Sequence, residues 1–333
     1  MRWPWSPRRS AHRLLVRQVG TQHAFVLTDG PPGHQPGDRP VRLLRWGLLP
    51  APRAVAAGEA IALLDPSSYQ VLKVDTPAVP QEELKAAARW QIKEMVDVDV
   101  AALTLDVMHV GGDVDRPQRQ LFVIAARNEA IQSLTRASAA VHEHIGIVDV
   151  WETALRNLLA AQAHADELAS RACAAVHIDA EHCLLVICAN GELFYTRRLG
   201  QDPQLLARAK GEALETPTAE MPLGFEYQPG GSFDGGAVQE SPLVVELQRS
   251  IDVWERSWPS LPLARLYVVM AGHGAEVATL IQRELGQRTV ALDPLAAFAA
   301  DAPAPEGPAP AVQALAACIP LLGAALRADT RQL

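Results

Sequence analysis

The sequence predicts an α/β protein of two lobes, each a mixed sheet flanked by helices. Three observations predict it. A chain of 333 residues exceeds one ordinary core, so two domains of roughly 150 residues each are expected. The stretch 173–198 reads as a three-stranded meander: an apolar strand ending at Asp179, a turn, a second apolar strand, an Asn190-Gly191 hairpin turn and a third strand. An Asn-Gly pair suits that hairpin because both residues tolerate the positive φ at its centre. A similar meander opens the chain over 14–19, 24–28 and 41–48, without sequence repetition, as a duplicated fold would produce.

The remaining elements follow in order. Residues 69–74 form a strand that Thr76-Pro77 ends. A helix over 80–96 starts at Pro80, whose missing N–H costs nothing in a first turn, with Glu82 and Glu83 at the positive end of the helix dipole. Leu84, Ala88, Ile92 and Met95 form its apolar stripe. Strands at 103–110 and 120–125, a helix from 128 to 141, a strand at 145–150 and a helix over 151–168 complete the first half. After the second meander come a helix at 203–215, a Gly/Pro-rich loop at 216–240, and an amphipathic helix at 243–258. A strand at 265–270, a helix at 275–285, a short strand at 289–292, a Pro/Ala linker at 301–310 and a docked helix at 311–327 close the order. The organisation is then a basic tail at 1–13, a first lobe at 14–170 with a small insertion at 76–127, and a second lobe at 171–333.

Composition narrows the function. With 38 acidic against 30 basic residues and a net charge of −8, the chain lacks the basic field that nucleic acid requires. Arg2, Arg8, Arg9 and Arg13 open the chain with no acid among them; contact with anionic lipid and a plain flexible terminus both fit, and Pro4 and Pro7 favour the second. Three of four cysteines lie between Cys173 and Cys188 at spacings that match no zinc pair, so they read as small buried hydrophobes. The apolar stretch 311–326 is shorter than the ~20 residues that span a bilayer and contains Pro320. With no secretory segment recognised, a reduced, cytosolic protein is expected. His142 and His144 point to different sides, His177 reads as a hydrogen-bonded strand residue, and no P-loop, Gly-x-Ser-x-Gly or HExxH pattern occurs.

The order of elements and a series of short motifs resemble the PilM-like family of type IV pilus assembly proteins, an actin-like (ribonuclease H-like) fold, and most closely its MSHA-pilus biogenesis (MshI) branch. Roughly 60–327 carry the resemblance: Ser68-Tyr69-Gln70-Val71-Leu72, Glu82-Glu83-Leu84, Arg89-Trp90-Gln91-Ile92-Lys93 and Asp149-Val150-Trp151-Glu152-Thr153 in the first half. Gly191-Glu192-Leu193, Leu247-Gln248-Arg249-Ser250, Gly272-His273-Gly274 and Leu322-Gly323-Ala324-Ala325-Leu326-Arg327 carry it in the second. The resemblance implies a cytoplasmic protein, peripheral at the inner membrane, that docks the cytosolic N-terminal tail of a bitopic PilN-like membrane protein. Membrane association would be indirect, through that partner and other platform components.

The resemblance also implies where a nucleotide, ATP with Mg2+, would bind. Such a site needs two phosphate turns, whose backbone N–H groups hold phosphate, and a glycine turn beneath the adenosine. The first turn, on Val16-Arg17-Gln18-Val19-Gly20-Thr21-Gln22, has neither acid nor lysine. The second keeps Asp179 but follows it with Ala180 and Glu181, and Glu181 would bring negative charge towards a polyphosphate. Gly272, His273 and Gly274 supply the third. The candidate cofactor residues are therefore Asp179, Gly272, His273 and Gly274, with no catalytic or metal residue assigned and hydrolysis not expected. Plainer readings stand beside these: Asp179 caps a turn, and the two glycines serve a strand-to-helix turn. Trp90 either fills the first-lobe core or anchors a partner peptide. The expected function is an adaptor; the alternatives are an active ATPase or small-molecule kinase on the same fold, and a self-associating scaffold.

Overall fold

An antiparallel meander of β1 (Arg13–Val19), β2 (Gln22–Thr28) and β3 (Leu43–Leu49) opens the fold, and β4 (Glu59–Leu63) returns parallel to β1. The computed structural model describes residues 12–30, 40–51, 55, 57–112, 119–139, 141, 142, 144–212 and 241–328. The loop at 216–240 and nearly all of the basic tail at 1–13 lie outside the described residues. Next, β5 (Tyr69–Asp75), helix α1 (Leu84–Gln91), β6 (Leu103–His109) and β7 (Gln120–Arg127) build a small antiparallel sheet in the order β5-β7-β6. Helix α2 (Asn128–Ala139) leads to β8 (Ile147–Asp149), parallel to β4, and to α3 (Trp151–Ala165).

The second half repeats the plan. Strands β9 (Ala172–Ile178), β10 (Cys183–Ala189) and β11 (Glu192–Arg198) form its meander, with Asn190 at φ 53° and Gly191 at φ 75° in the hairpin turn. Helices α4 (Leu205–Lys210) and α5 (Pro242–Ser257) precede β12 (Leu263–Val269), which runs parallel to β9. Helix α6 (Gly274–Leu285), β13 (Thr289–Ala291) and α7 (Ala311–Ala325) complete the order. The two large sheets, β3-β2-β1-β4-β8 and β11-β10-β9-β12-β13, have one topology twice over.

Several details differ from the sequence reading: Met95 of the expected apolar stripe is exposed, and the helix expected over 203–215 is α4 alone, Leu205–Lys210. Strand β4, with the sequence EAIAL, was not anticipated, although Ala60 to Leu63 are buried. The expected helix over 80–96 is α1 flanked by two 3-10 turns, Gln81–Glu83 and Ile92–Glu94, the second of which still buries Ile92. The proline-rich linker is docked along β3. Ala299 N donates to Val41 O (3.1 Å), Glu306 N to Trp46 O (2.8 Å), Leu48 N to Glu306 O (3.1 Å) and Trp46 Nε1 to Pro303 O (2.7 Å). Arg45 forks onto Glu306 at 2.6 and 2.8 Å. This strap covers the open edge of the first sheet.

Helix α7, expected within the second lobe at 171–333, instead packs on β1, β2 and β3 of the first sheet, and against α3. Apolar and small residues surround most of it, as a helix buried between layers requires. At Gly323 the two helices touch backbone to backbone: a Cβ there would lie 2.2 Å from Ala154 O. One apolar core thus runs from Leu15 and Trp46 through Leu158 and Leu322 to Val186 and Tyr267. No helix among the described residues is long and apolar enough to cross a membrane.

Candidate functional site

Strands β1 and β4 of the first sheet, and β9 and β12 of the second, are parallel to their central neighbours, so their C-terminal ends gather at one edge of each sheet. In open α/β sheets that edge is where ligands bind. Here the two edges meet. Arg17 lies near the end of β1, Asp65 follows β4, and Trp151 begins α3 just after β8. From the second lobe come His177, near the end of β9, and the β9–β10 turn of Asp179, Ala180, Glu181 and His182.

Aromatic stacking and charge organise the cluster. The Trp151 ring lies 5.4 Å from His177 and 4.9 Å from His182, centroid to centroid, and the Arg17 guanidinium sits 4.5 Å from the Trp151 ring. Arg17 is buried and donates to Ala317 O of α7 at 3.5 Å. Burial lowers its pKa, while Asp179, Asp65, Cys318 and Glu181 act the other way. Asp179 Oδ1 accepts from Glu181 N (2.8 Å) and His182 N (2.7 Å), and its Oδ2 faces His177 Nε2 at 3.3 Å. Burial opposes ionisation of Asp179, yet the bonds from His177 and His182 hold it far below the usual carboxylate range. His177 Nδ1 meets Val269 O at 3.1 Å.

That last bond ties the end of β9 to the end of β12, just ahead of the glycine turn. Gly272 has φ 80°, and a Cβ there would lie 2.9 Å from Val312 Cγ1 of α7. Both facts favour glycine. Gly274 opens α6, and a Cβ there would touch Ala291 at 3.4 Å. His273 occupies the N-cap position without a side-chain capping bond and lies 3.9 Å from Glu276. Asp179, Gly272, His273 and Gly274 therefore share one end of the second sheet. Trp90 does not join them. It lies on α1 of the small sheet, 73% exposed, with Lys93 Nζ 5.7 Å from its ring. It does not fill the first-lobe core.

A second tie crosses between the lobes beside this cluster. Tyr69 OH, on β5, donates to the buried carboxylate of Glu152, on α3, and accepts from Trp151 N at 3.1 Å. Arg198, on β11, donates to Tyr69 O at 3.1 Å and lies 3.6 Å from Glu152. Burial raises the Glu152 pKa, partly offset by Tyr69 and Arg198.

Asp65, Glu181 and His182 place possible metal ligands within 4.8 Å of one another, two carboxylates and an imidazole that would suit a divalent cation. Asp179, Asp65 and Glu181 act on the buried Arg17, so a cation of the protein itself faces these acids. Sequence reasoning missed Arg17, Asp65, Trp151 and His182 as partners. The available signal was Arg17, a cation directly after the buried apolar run Leu14-Leu15-Val16.

Comparison with known proteins found likeness in structure alone. No protein-family model and no curated protein sequence matches the chain. Among solved structures, a chain of the PilM-PilN type IV pilus biogenesis complex is similar, with a TM-score of 0.63 and 16% identity over 96% of this chain and 100% of that one. A Bacteroides thetaiotaomicron protein with an actin-like ATPase fold and unknown function matches with a TM-score of 0.41 and 6% identity over 85% of this chain and 91% of that one. The cytoplasmic domain of EpsL, an inner membrane component of the type II secretion system of Vibrio cholerae, matches with a TM-score of 0.35 and 10% identity over 63% of this chain and 79% of that one. The chain has the two-lobed actin-like fold, α/β, with a mixed sheet flanked by helices in each lobe.

Proposed function

We propose that this chain is an adaptor of a type IV pilus assembly platform, of the MSHA (MshI) type, with a degenerate nucleotide site. It binds the cytosolic N-terminal tail of a bitopic PilN-like protein at the inner membrane and stays cytoplasmic itself. The family resemblance of its motifs and the likeness in fold to the PilM-PilN complex chain support this reading. One observation carries the nucleotide-free part. Asp179 takes up the amide hydrogens of Glu181 and His182, the groups in that turn that a phosphate would need. With Glu181 beside them, the turn repels a polyphosphate rather than cradling it. A degenerate site leaves recognition as the mechanism, and the exposed Trp90 on α1 is the anchor for the tail.

Two measurements test this. Calorimetry with the cytosolic tail peptide of the PilN-like partner is expected to show saturable binding; its absence removes the adaptor. Millimolar Mg-ATP is expected to leave the melting temperature unchanged. A ligand at about 100 times its dissociation constant would add ~2.7 kcal/mol, and that rise would restore the ATPase or kinase reading.

A further inference from the structure

Strands β9 and β10 place Cys173 directly opposite Cys188 in their antiparallel register. Both side chains lie on the sheet face that α3 covers, in the same apolar core as Leu158 and Val186. Residues opposed in this way have Cα atoms about 4.5–5.5 Å apart. That interval falls inside the roughly 4.4–6.8 Å that a disulfide spans. Both cysteines are free thiols, and both line one cavity of about 250 Å3. We propose that Cys173 and Cys188 are a redox-active dithiol that exchanges with small anionic disulfides, oxidised glutathione being the type, and closes to a cross-strand disulfide. The site lies at the other end of β9 from Asp179, apart from the candidate nucleotide cleft.

The cavity supplies the access that two buried thiols otherwise lack. It opens between the last turns of α3 and the β10–β11 hairpin, with Ala160 and Ala163 as walls. Their short side chains leave space that larger apolar residues would fill. Exposed Arg171 and His164 stand at its rim. Asp166, the acid that acts on Cys173, is taken up by Arg265 and by Tyr267 OH at 2.6 Å, so Arg171 is left to face an incoming carboxylate. The other two cysteines lack this setting. Cys183 faces the opposite side of the sheet, in the second core, and Cys318 sits inside α7 with its thiol donating to Gly47 O at 3.4 Å. Neither lines the cavity.

The exchange balances without a further reagent. The Cys173 thiolate attacks one sulfur of the small disulfide; a new S–S bond forms and the old one breaks. The released thiolate takes up a proton in place of the one that Cys173 gave to water. Cys188, deprotonated in turn, attacks Cys173 Sγ and releases the second small thiol. The two protein thiols lose two electrons and the small disulfide gains them. Burial raises the Cys173 thiol to about 11, with Arg265 and Arg171 acting against the rise and Asp166 with it. Burial raises Cys188 further, with Arg156 acting against and Cys173 and Glu192 with it. Cys173 is thus the first to ionise, and closure is slow at neutral pH.

The test incubates the full reduced chain with oxidised glutathione at mildly alkaline pH, denatures it in N-ethylmaleimide and maps it by mass spectrometry. Cys173 and Cys188 are expected to escape alkylation as one linked peptide pair with no glutathione retained, while Cys183 and Cys318 are labelled. Cys188→Ser, which removes the resolving thiol, should instead keep one glutathione on Cys173. Arg171→Ala should slow closure several-fold with oxidised glutathione but not with uncharged hydroxyethyl disulfide. Labelling of all four cysteines, a link to Cys183 or Cys318, or a dimer joined between chains overturns the dithiol. Closure that requires urea overturns it too, since the pair would then meet only in the unfolded chain. Equal slowing of both reagents by Arg171→Ala, or of neither, overturns the anionic substrate class.

Discussion

At Gly323 the absence of a side chain lets α3 and α7 meet, since any Cβ would fall 2.2 Å from Ala154 O. Neither backbone can yield without moving a buried helix. Gly323→Val is expected to cost at least the ~1–3 kcal/mol typical of overpacking, read as a lower denaturant midpoint. Trp90 is the opposite case. Being 73% exposed, it contributes little to the fold, so Trp90→Ala should leave stability within about 0.5 kcal/mol. The same change should weaken tail-peptide binding by about 2 kcal/mol or more in calorimetry, as loss of an interface anchor does. Both residues stood out in the sequence motifs, but neither the close approach at Gly323 nor the choice between the two readings of Trp90 did. The need for glycine depends on Ala154 in a distant helix, and the exposure of Trp90 depends on which face of α1 the small sheet covers.

The strap shows how an element can be stronger in its backbone than in its charges. The pair of Arg45 and Glu306 is over a third exposed on both sides, so Arg45→Ala should cost no more than about 1 kcal/mol. Gly307 has φ 107°, and a Cβ there would lie 2.1 Å from Leu48 O. Gly307→Val should therefore lift the strap from β3, detected as faster hydrogen exchange at the Leu48 amide, which donates to Glu306 O. At this scale much was legible. The second meander followed from its apolar runs and its Asn190-Gly191 turn, whose positive φ angles the structure has. Strand β4 was not legible, because five residues rich in alanine carry neither strand nor helix periodicity and take their conformation from pairing with β1 and β8. The docking of the linker was equally hidden: proline composition announces an extended chain but not the edge it will cover.

For the whole molecule, the repeated three-strand meander made the fold readable, since each half reinforced the reading of the other. The site was less readable. Asp179 and the Gly272–Gly274 turn could be picked out, but Arg17, Asp65, Trp151 and His182 come together only through tertiary contacts, and a single sequence records no such pairing. Acid stability belongs to this scale as well. Asp65 and Asp179 are depressed in the folded state, so the stability they supply is present above the ordinary carboxylate range of about 4 and is lost only as pH falls through their lowered values. Replacing both with Asn should flatten the fall in melting temperature below about pH 4. The route of α7 has a consequence for how the protein is made. The first lobe lacks one wall until residues 311–325 leave the ribosome, so it must wait, with the inner face of its sheet bare, while the whole second lobe is translated. A nascent chain stalled before Ala311 should be protease-sensitive in its earliest strands and a client for chaperones, while release of α7 should protect both halves together.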